Sequence, residues 1–331
     1  MVDIALNTTM SVADIKAKAV KRGGAGDTRF RAISFAAAAL IVILFVGMMA
    51  SIAGGAFVSI QAAGWSFLTS QAWNPVTDKF GALASIYGTL ITSFLAMGLA
   101  VPVGIGIAIF LTEICPLPLR RPIGVAIELL AGIPSIVYGI WGLFTFAPFF
   151  QEHVQPWIVD ACADIPILQD IFAGPPYGIG IFTASFILSI MIIPFISAVT
   201  RDVFDTVPGQ LKESAYALGC TTSEVVWNVV LPFSRTGVVG GAMLALGRAL
   251  GETMAVTFVI GNSHRIHGSV FSPGTTISAT IANEFTESVG DIYHSALIEE
   301  GLILFFISFV VLACAQIMLR ILHKRAGGVS G

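Results

Sequence analysis

Apolar residues gather into six long runs, at 33–60, 84–112, 123–150, 178–199, 236–261 and 297–319, separated by polar and glycine- or proline-rich stretches. Each run reaches the roughly 20 residues that an α-helix needs to cross a hydrocarbon core about 30 Å thick. None alternates with the period of a barrel strand. Backbone N–H and C=O groups find no water in lipid, so the pattern predicts an all-α polytopic membrane protein with six transmembrane helices.

The fifth run carries the exception to its own pattern. "GRALGETMAV", residues 247–256, places Arg248 and Glu252 in the middle of apolar sequence. At 100° per residue these two share a sector of about 160° with Gly237, Gly240, Gly241, Ala245, Gly247, Gly251 and Ala255. Val239, Met243, Leu246 and Leu250 fall on the other side. Small residues four apart let membrane helices approach closely, so the charged face is expected to look toward other helices or a cavity. A charge at the bilayer centre is unfavourable by about 2.5–3.5 kcal/mol on insertion scales, and something must offset it. Two readings stand: Arg248 and Glu252, one turn apart, neutralise each other inside a bundle, or Arg248 lines an anion path with Glu252 aiming it.

Composition agrees with the pattern: the 331 residues are 56% hydrophobic and 11% charged, with a mean hydropathy of +0.87. Charge sets the orientation. Six basic residues precede the first run, Arg120 and Arg121 lie between runs two and three, Arg201, Lys212 and Arg235 between four and five, and Arg320, Lys324 and Arg325 at the end. Lys79 and Arg265 fall on the other side. By the positive-inside rule both termini are cytoplasmic. The chain then divides into a cytoplasmic tail at 1–31, a transmembrane domain at 32–323 and a cytoplasmic tail at 324–331. The first run is too long for a cleavable signal and ends in no A-x-A site. The tail ahead of it reads as solvated chain or as a short surface helix capped by Ser11 and Asp14. The four cysteines imply no internal disulfide.

Smaller signals lie along the spans and loops. Pro134 and Pro194 would weaken their helices locally. Glu128 is placed to pair with Arg121 or with another subunit. His264 and His267 form a surface pair without companions for zinc. The outer loops at 151–177 and 262–296 carry Asp160, Asp164, Asp170, Glu284, Glu287 and Asp291, charges suited to docking or solvation, not to holding an anion.

The inner loop at about 205–234 is too patterned for a plain connector. A helix with a small-residue face runs to Gly219, where a left-handed backbone would end it. A second helix starts on the capping-box pair Thr221 and Glu224, continues through Trp227 and closes at Pro232. Such a corner suits docking into a cleft of another protein, with Glu213 available to meet a cation. No lysine here follows a glycine, so a phosphate-cradling P-loop is absent, and H-E-x-x-H and G-x-S-x-G are absent too. Those omissions argue against an enzyme.

Glu213-Ser214-Ala215, then Gly219, then Val229-Val230-Leu231-Pro232, resembles the EAA motif of importer-type ABC permeases, with Ser214 for alanine and Val229 for isoleucine as departures. "AWNPVTDKFGALASIYGTLITSFLA" (72–96), "ELLAGIPSIVYGIWGL" (128–143), "VPGQLKESAYALG" (207–219) and "LGRALGETMAVTFVIGN" (246–262) resemble permeases of the phosphate-specific ABC importer, the first segment its PstC type more than the PstA-type sister, and the likeness runs from about residue 30 to the end. The resemblance implies the importer-type ABC permease fold in a prokaryotic inner membrane. It implies a sister permease, two ATPase subunits and an extracytoplasmic phosphate-binding protein. It implies that no cofactor binds this chain, ATP and magnesium being held by the ATPases, and that phosphate and membrane lipid, not nucleic acid, are its other contacts. Glu213, Ala215, Gly219, Thr221, Thr222, Leu231 and Pro232 would couple to the ATPase, and Arg248 and Glu252 match paired intramembrane charges associated with phosphate passage. Sulfate, molybdate and phosphonate permeases share the EAA loop, and a secondary anion transporter or channel would also want Arg248; a scaffold would tolerate its loss.

Overall fold

A computed structural model describes residues 12–326, and among these the only β pairing is a bridge between Asn74 and Lys79. By internal contacts the chain forms two units, divided after Gly54. The first is helix α1 (Val12–Gly55), apolar over its later turns, with Phe35, Ile41, Ile43 and Leu44 exposed. Residues read from sequence as tail continue this helix unbroken from Val12. The cap at Ser11 and the end of the C-terminal tail, 327–331, lie outside the described residues.

The second unit is built around one tight helix pair. Helix α2 (Phe57–Ala63) leads through residues 64–82, which include a helical turn at Ser66–Thr69, to α3 (Leu83–Ile109). Along α3 every fourth residue is small and buried: Gly88, Thr92, Ala96, Ala100, Gly104, Ala108. That stripe brings the backbone close to its main neighbour, α6 (Ile181–Asp205), as small faces do in membranes, and a Cβ on Gly104 would stand 2.7 Å from Ile196. α6 is the most enclosed span, with 67% of its most apolar window buried, and Pro194 sits inside it without breaking it. Their shared core, including Ile187, Leu188 and Ile192, extends to Leu246, Leu250 and Val256 of the fifth run. At the far end of the stripe, a Cβ on Gly88 would overlap the carbonyl oxygen of Thr275. Gly88→Val is therefore expected to lower stability by about 1–3 kcal/mol, measured as a fall in the unfolding temperature of the detergent-solubilised protein.

Between these two helices the third run is not one straight span. Helix α4 (Leu117–Ala131) and the helical stretch that opens with α5 (Ser135–Trp141) and runs on to Cys162 are bent by 85° at Gly132–Pro134. Pro134 stands directly ahead of α5, where its missing N–H is no loss. Glu128 does not pair with Arg121: α4 packs on α6, and Glu128 Oε1 accepts from Arg201 Nη2 at 2.6 Å.

A short helix at Pro166–Phe172 precedes α6, and after α6 come α7 (Gly209–Ala217), α8 (Thr222–Val225), α9 (Leu231–Leu250), α10 (Met254–Val259), α11 (Ile277–Glu284) and α12 (Asp291–Ala326). Among the described residues five helical segments are long and apolar enough to cross a membrane, and the bent pair, taken as one span, makes six. The all-α, six-span expectation describes the molecule.

Candidate functional site

The fifth run breaks where its charges lie. α9 ends at Leu250, Gly251 to Thr253 leave the helix, and α10 resumes at Met254. A pair four residues apart needs a continuous helix to meet, and the break removes it. Glu252 instead turns forward, its Oε1 accepting from Ala255 N at 3.3 Å on the first turn of α10. Arg248 makes no ion pair among the described residues, so here Glu252 neither neutralises it nor aims it, as either reading of the pair had expected.

A Cβ on Gly139 of α5 would stand 3.0 Å from the Met254 oxygen and 3.2 Å from the Ala255 Cα, so α5 and α10 pack backbone to backbone. Two broken spans thus meet through their half-helices. The face predicted to look inward is itself divided: Gly237 and Gly241 rest on Val203 and Val199 of α6, and Gly247 on Leu312 of α12. Leu246 and Leu250, assigned to the other side, are core residues. What stays open on α9 is a stripe at its end where Leu244, Arg248 and Gly251 are exposed.

The corner is the second feature. Gly219 adopts φ +87°, the left-handed turn its position demands, and ends α7. Thr221 caps α8 through a complete capping box: Glu224 N reaches Thr221 Oγ1 at 3.4 Å, and Thr221 N reaches Glu224 Oε2 at 2.8 Å. Pro232 does not close the segment. Residues Val226–Val230 form a π-helical turn that carries α8 straight into α9, and Pro232 occupies the first turn beyond it, where a missing donor is tolerated. The second corner helix is thus the end of the fifth span. Ala215 and Val225 bury the corner's underside, with Leu231 packed against it, while Glu213, Thr221, Thr222, Trp227 and Pro232 are exposed, as is Leu218 at 86%. Beside it a cleft of about 460 Å³ lies between Ile109, Glu113 and Ile114 on one wall and Thr222, Val226 and Trp227 on the other.

A polar cluster at the other end of α3 was not legible in sequence. Glu284 accepts from Trp73 Nε1 at 2.6 Å and Tyr293 OH at 2.6 Å, and meets His264 Nε2 at 2.9 Å. His264 stacks flat on Trp73 at 4.8 Å, so it is not the surface residue expected, and Glu284 is a structural anchor. Burial alone would raise the Glu284 carboxyl, but the bonds from His264, Tyr293 and Trp73 outweigh it and hold it low. A depressed carboxylate stabilises the fold above its unfolded value and loses that contribution as pH falls through the folded one. Glu284→Gln is expected to destabilise the outer loops by about 1–3 kcal/mol at neutral pH, read as faster protease cutting near residues 262–275, with the difference from native shrinking in acid below about pH 4.

Comparison with known proteins gives these features a family. The model of the binding-protein-dependent transport system inner membrane component matches residues 100–328. The chain is 62% identical over 308 residues to the phosphate transport system permease protein PstC of Mesorhizobium japonicum, covering 93% of this chain and 94% of that protein. It is 56% identical to the protein of that name from Pasteurella multocida, covering 91% and 92%, and 35% identical to a probable one from Methanocaldococcus jannaschii, covering 85% and 90%. Among solved structures, a bacterial ABC transporter that imports the acidic polysaccharide alginate superposes with a TM-score of 0.57 at 15% identity, covering 92% of this chain and 97% of that one, a likeness of fold. The chain belongs to the binding-protein-dependent transport system inner membrane components, within the family of PstC phosphate transport permeases.

Proposed function

We propose that this chain is one half of the membrane path of an ATP-driven phosphate importer in a prokaryotic inner membrane, with its termini and the α7–α8 corner in the cytoplasm. The observation that carries this reading is the guanidinium of Arg248, without an ion-pair partner among the described residues, on an open stripe beside a break in the span. Irregular backbone at membrane depth is tolerated only where it is buried in protein or lines a cavity, and an arginine there does not face lipid. A sister permease facing that stripe would enclose a path between the two chains. Phosphate crossing it needs a compensating cation, and the planar donors of Arg248 suit its oxygens. One arginine binds modestly, which lets the ion leave.

The 62% identity to a permease named for phosphate transport favours phosphate over sulfate, molybdate or phosphonate. Affinity resides in an extracytoplasmic binding protein, and two ATPase subunits, holding ATP and magnesium, receive the corner formed by Glu213, Ala215, Gly219, Thr221, Thr222, Leu231 and Pro232. Because α8 continues into α9, motion of the ATPases at Thr222 reaches the helix that carries Arg248 without an intervening joint. Alternating access follows: closure of the ATPases turns the cavity around Arg248 from one face of the membrane to the other. The testing experiment loads vesicles containing the assembled complex with ATP and supplies binding protein and phosphate outside. Accumulation that requires ATP and ignores an imposed proton gradient or membrane potential is the expected result. Uptake driven by either gradient without ATP would assign the chain to the secondary transporters.

A further inference from the structure

The corner is fastened to a second helix, far from Arg248 in sequence. Lys212 of α7 places Nζ 2.6 Å from Glu113 Oε1, with the two side chains only 19% and 6% exposed. Glu113 lies on a π-helical turn, Phe110–Ile114, that continues α3 beyond Ile109. Apolar packing accompanies the pair: Ala108, Ile105 and Ile109 of α3 share a cluster with Ala215 and Val225 of the corner. The opposite end of α3 is fastened as well. Thr89 Oγ1 accepts from Ile277 N at 3.0 Å, Ser85 Oγ stands 3.4 Å from Thr280 Oγ1, and Gly88 lies against the Thr275 carbonyl. A helix of 27 residues is about 40 Å long and stiff along its axis.

Resting on the ATP-driven reading above, we propose that Lys212 and Glu113 form a strut that carries the corner's motion into α3, and through it to the α11 segment at the other end of the bundle. α9 and α3 are then driven together, one through the backbone and one through this ion pair. The buried carboxylate makes the strut hold under load, because separating it from Lys212 leaves Glu113 enclosed without a counter-charge. Both are positioning residues: neither touches the path at Arg248.

The test uses the assembled complex in vesicles. Glu113→Gln and Lys212→Met are each expected to lower phosphate moved per ATP hydrolysed by about tenfold, while binding-protein-stimulated hydrolysis continues. Glu113→Lys or Lys212→Glu alone sets like charges in contact and should do worse, and the two combined should restore most of the ratio. Normal coupling in the neutral variants, or a swapped pair no better than its worse single change, would overturn the strut. A second measurement does not depend on the anion or on those variants. In a chain freed of its native cysteines, Glu113→Cys and Lys212→Cys are joined by a short bifunctional reagent, and the strut predicts equal cross-linking yield with and without ATP. A yield that falls on nucleotide binding would show the two residues parting in the cycle and refute it. A native complex that moves no phosphate would refute the anion assignment while leaving this cross-linking result to decide the strut.

Discussion

Arg248→Gln is expected to reduce phosphate uptake on the order of 100-fold at unchanged membrane level. The reduction reflects loss of a charge-assisted, bidentate contact worth about 2–3 kcal/mol to an anion in a desolvated path. Little else should change, because Arg248 is exposed and forms no ion pair among the described residues whose loss would unsettle the fold. Arg248→Lys keeps the charge but not the planar fork, and should retain part of the rate. Glu252→Gln should act more weakly, since its carbonyl oxygen still accepts from Ala255 N and the counter-charge it removes is not bonded to Arg248. Normal uptake by Arg248→Gln would make the arginine dispensable and move the path elsewhere.

The second large effect is expected at Gly219. Its φ of +87° is unfavourable for a residue with a Cβ by about 1–2 kcal/mol, and a Cβ there would meet nothing within 4 Å, so substitution acts through backbone conformation alone. Gly219→Val should redraw the turn between α7 and α8, move Glu213 and Leu218 away from Thr222, and cost the chain its ATPase subunits in co-purification together with its transport. Gly219→Asn, which tolerates the left-handed region, should keep both. If the valine variant copurifies and transports like native, the corner's geometry does not matter for docking.

What could be read from the chain divides along physical lines. Local signals survived: the capping box at Thr221 and Glu224, the left-handed Gly219, and the six apolar runs each follow from neighbouring residues and from lipid as solvent. The buried stripe of α3 was there to be read, since Gly88, Ala96, Ala100, Gly104 and Ala108 repeat with the same spacing that drew attention in the fifth run. The break after Leu250 was not, because the pattern of small and apolar residues runs straight through it, and neither was the close approach of Gly139 to Met254 and Ala255 beyond it. Pro232 misled for a related reason: a proline reads as a stop, but a π-helical turn ahead of it lets the helix pass. The 85° bend at Gly132–Pro134 was legible as a weak point, not as an angle. Lys212 and Glu113, 99 residues apart, and the four-way meeting at Glu284 could not be seen without the fold.

Whether this chain carries phosphate for an ATP-driven importer is decided by uptake of radiolabelled phosphate into cells that lack the gene and are complemented with the native chain, with excess unlabelled sulfate and molybdate as competitors. Restored uptake that neither competitor reduces is the expected result; failure to restore phosphate uptake, or its suppression by sulfate or molybdate, would rule phosphate out as the carried anion.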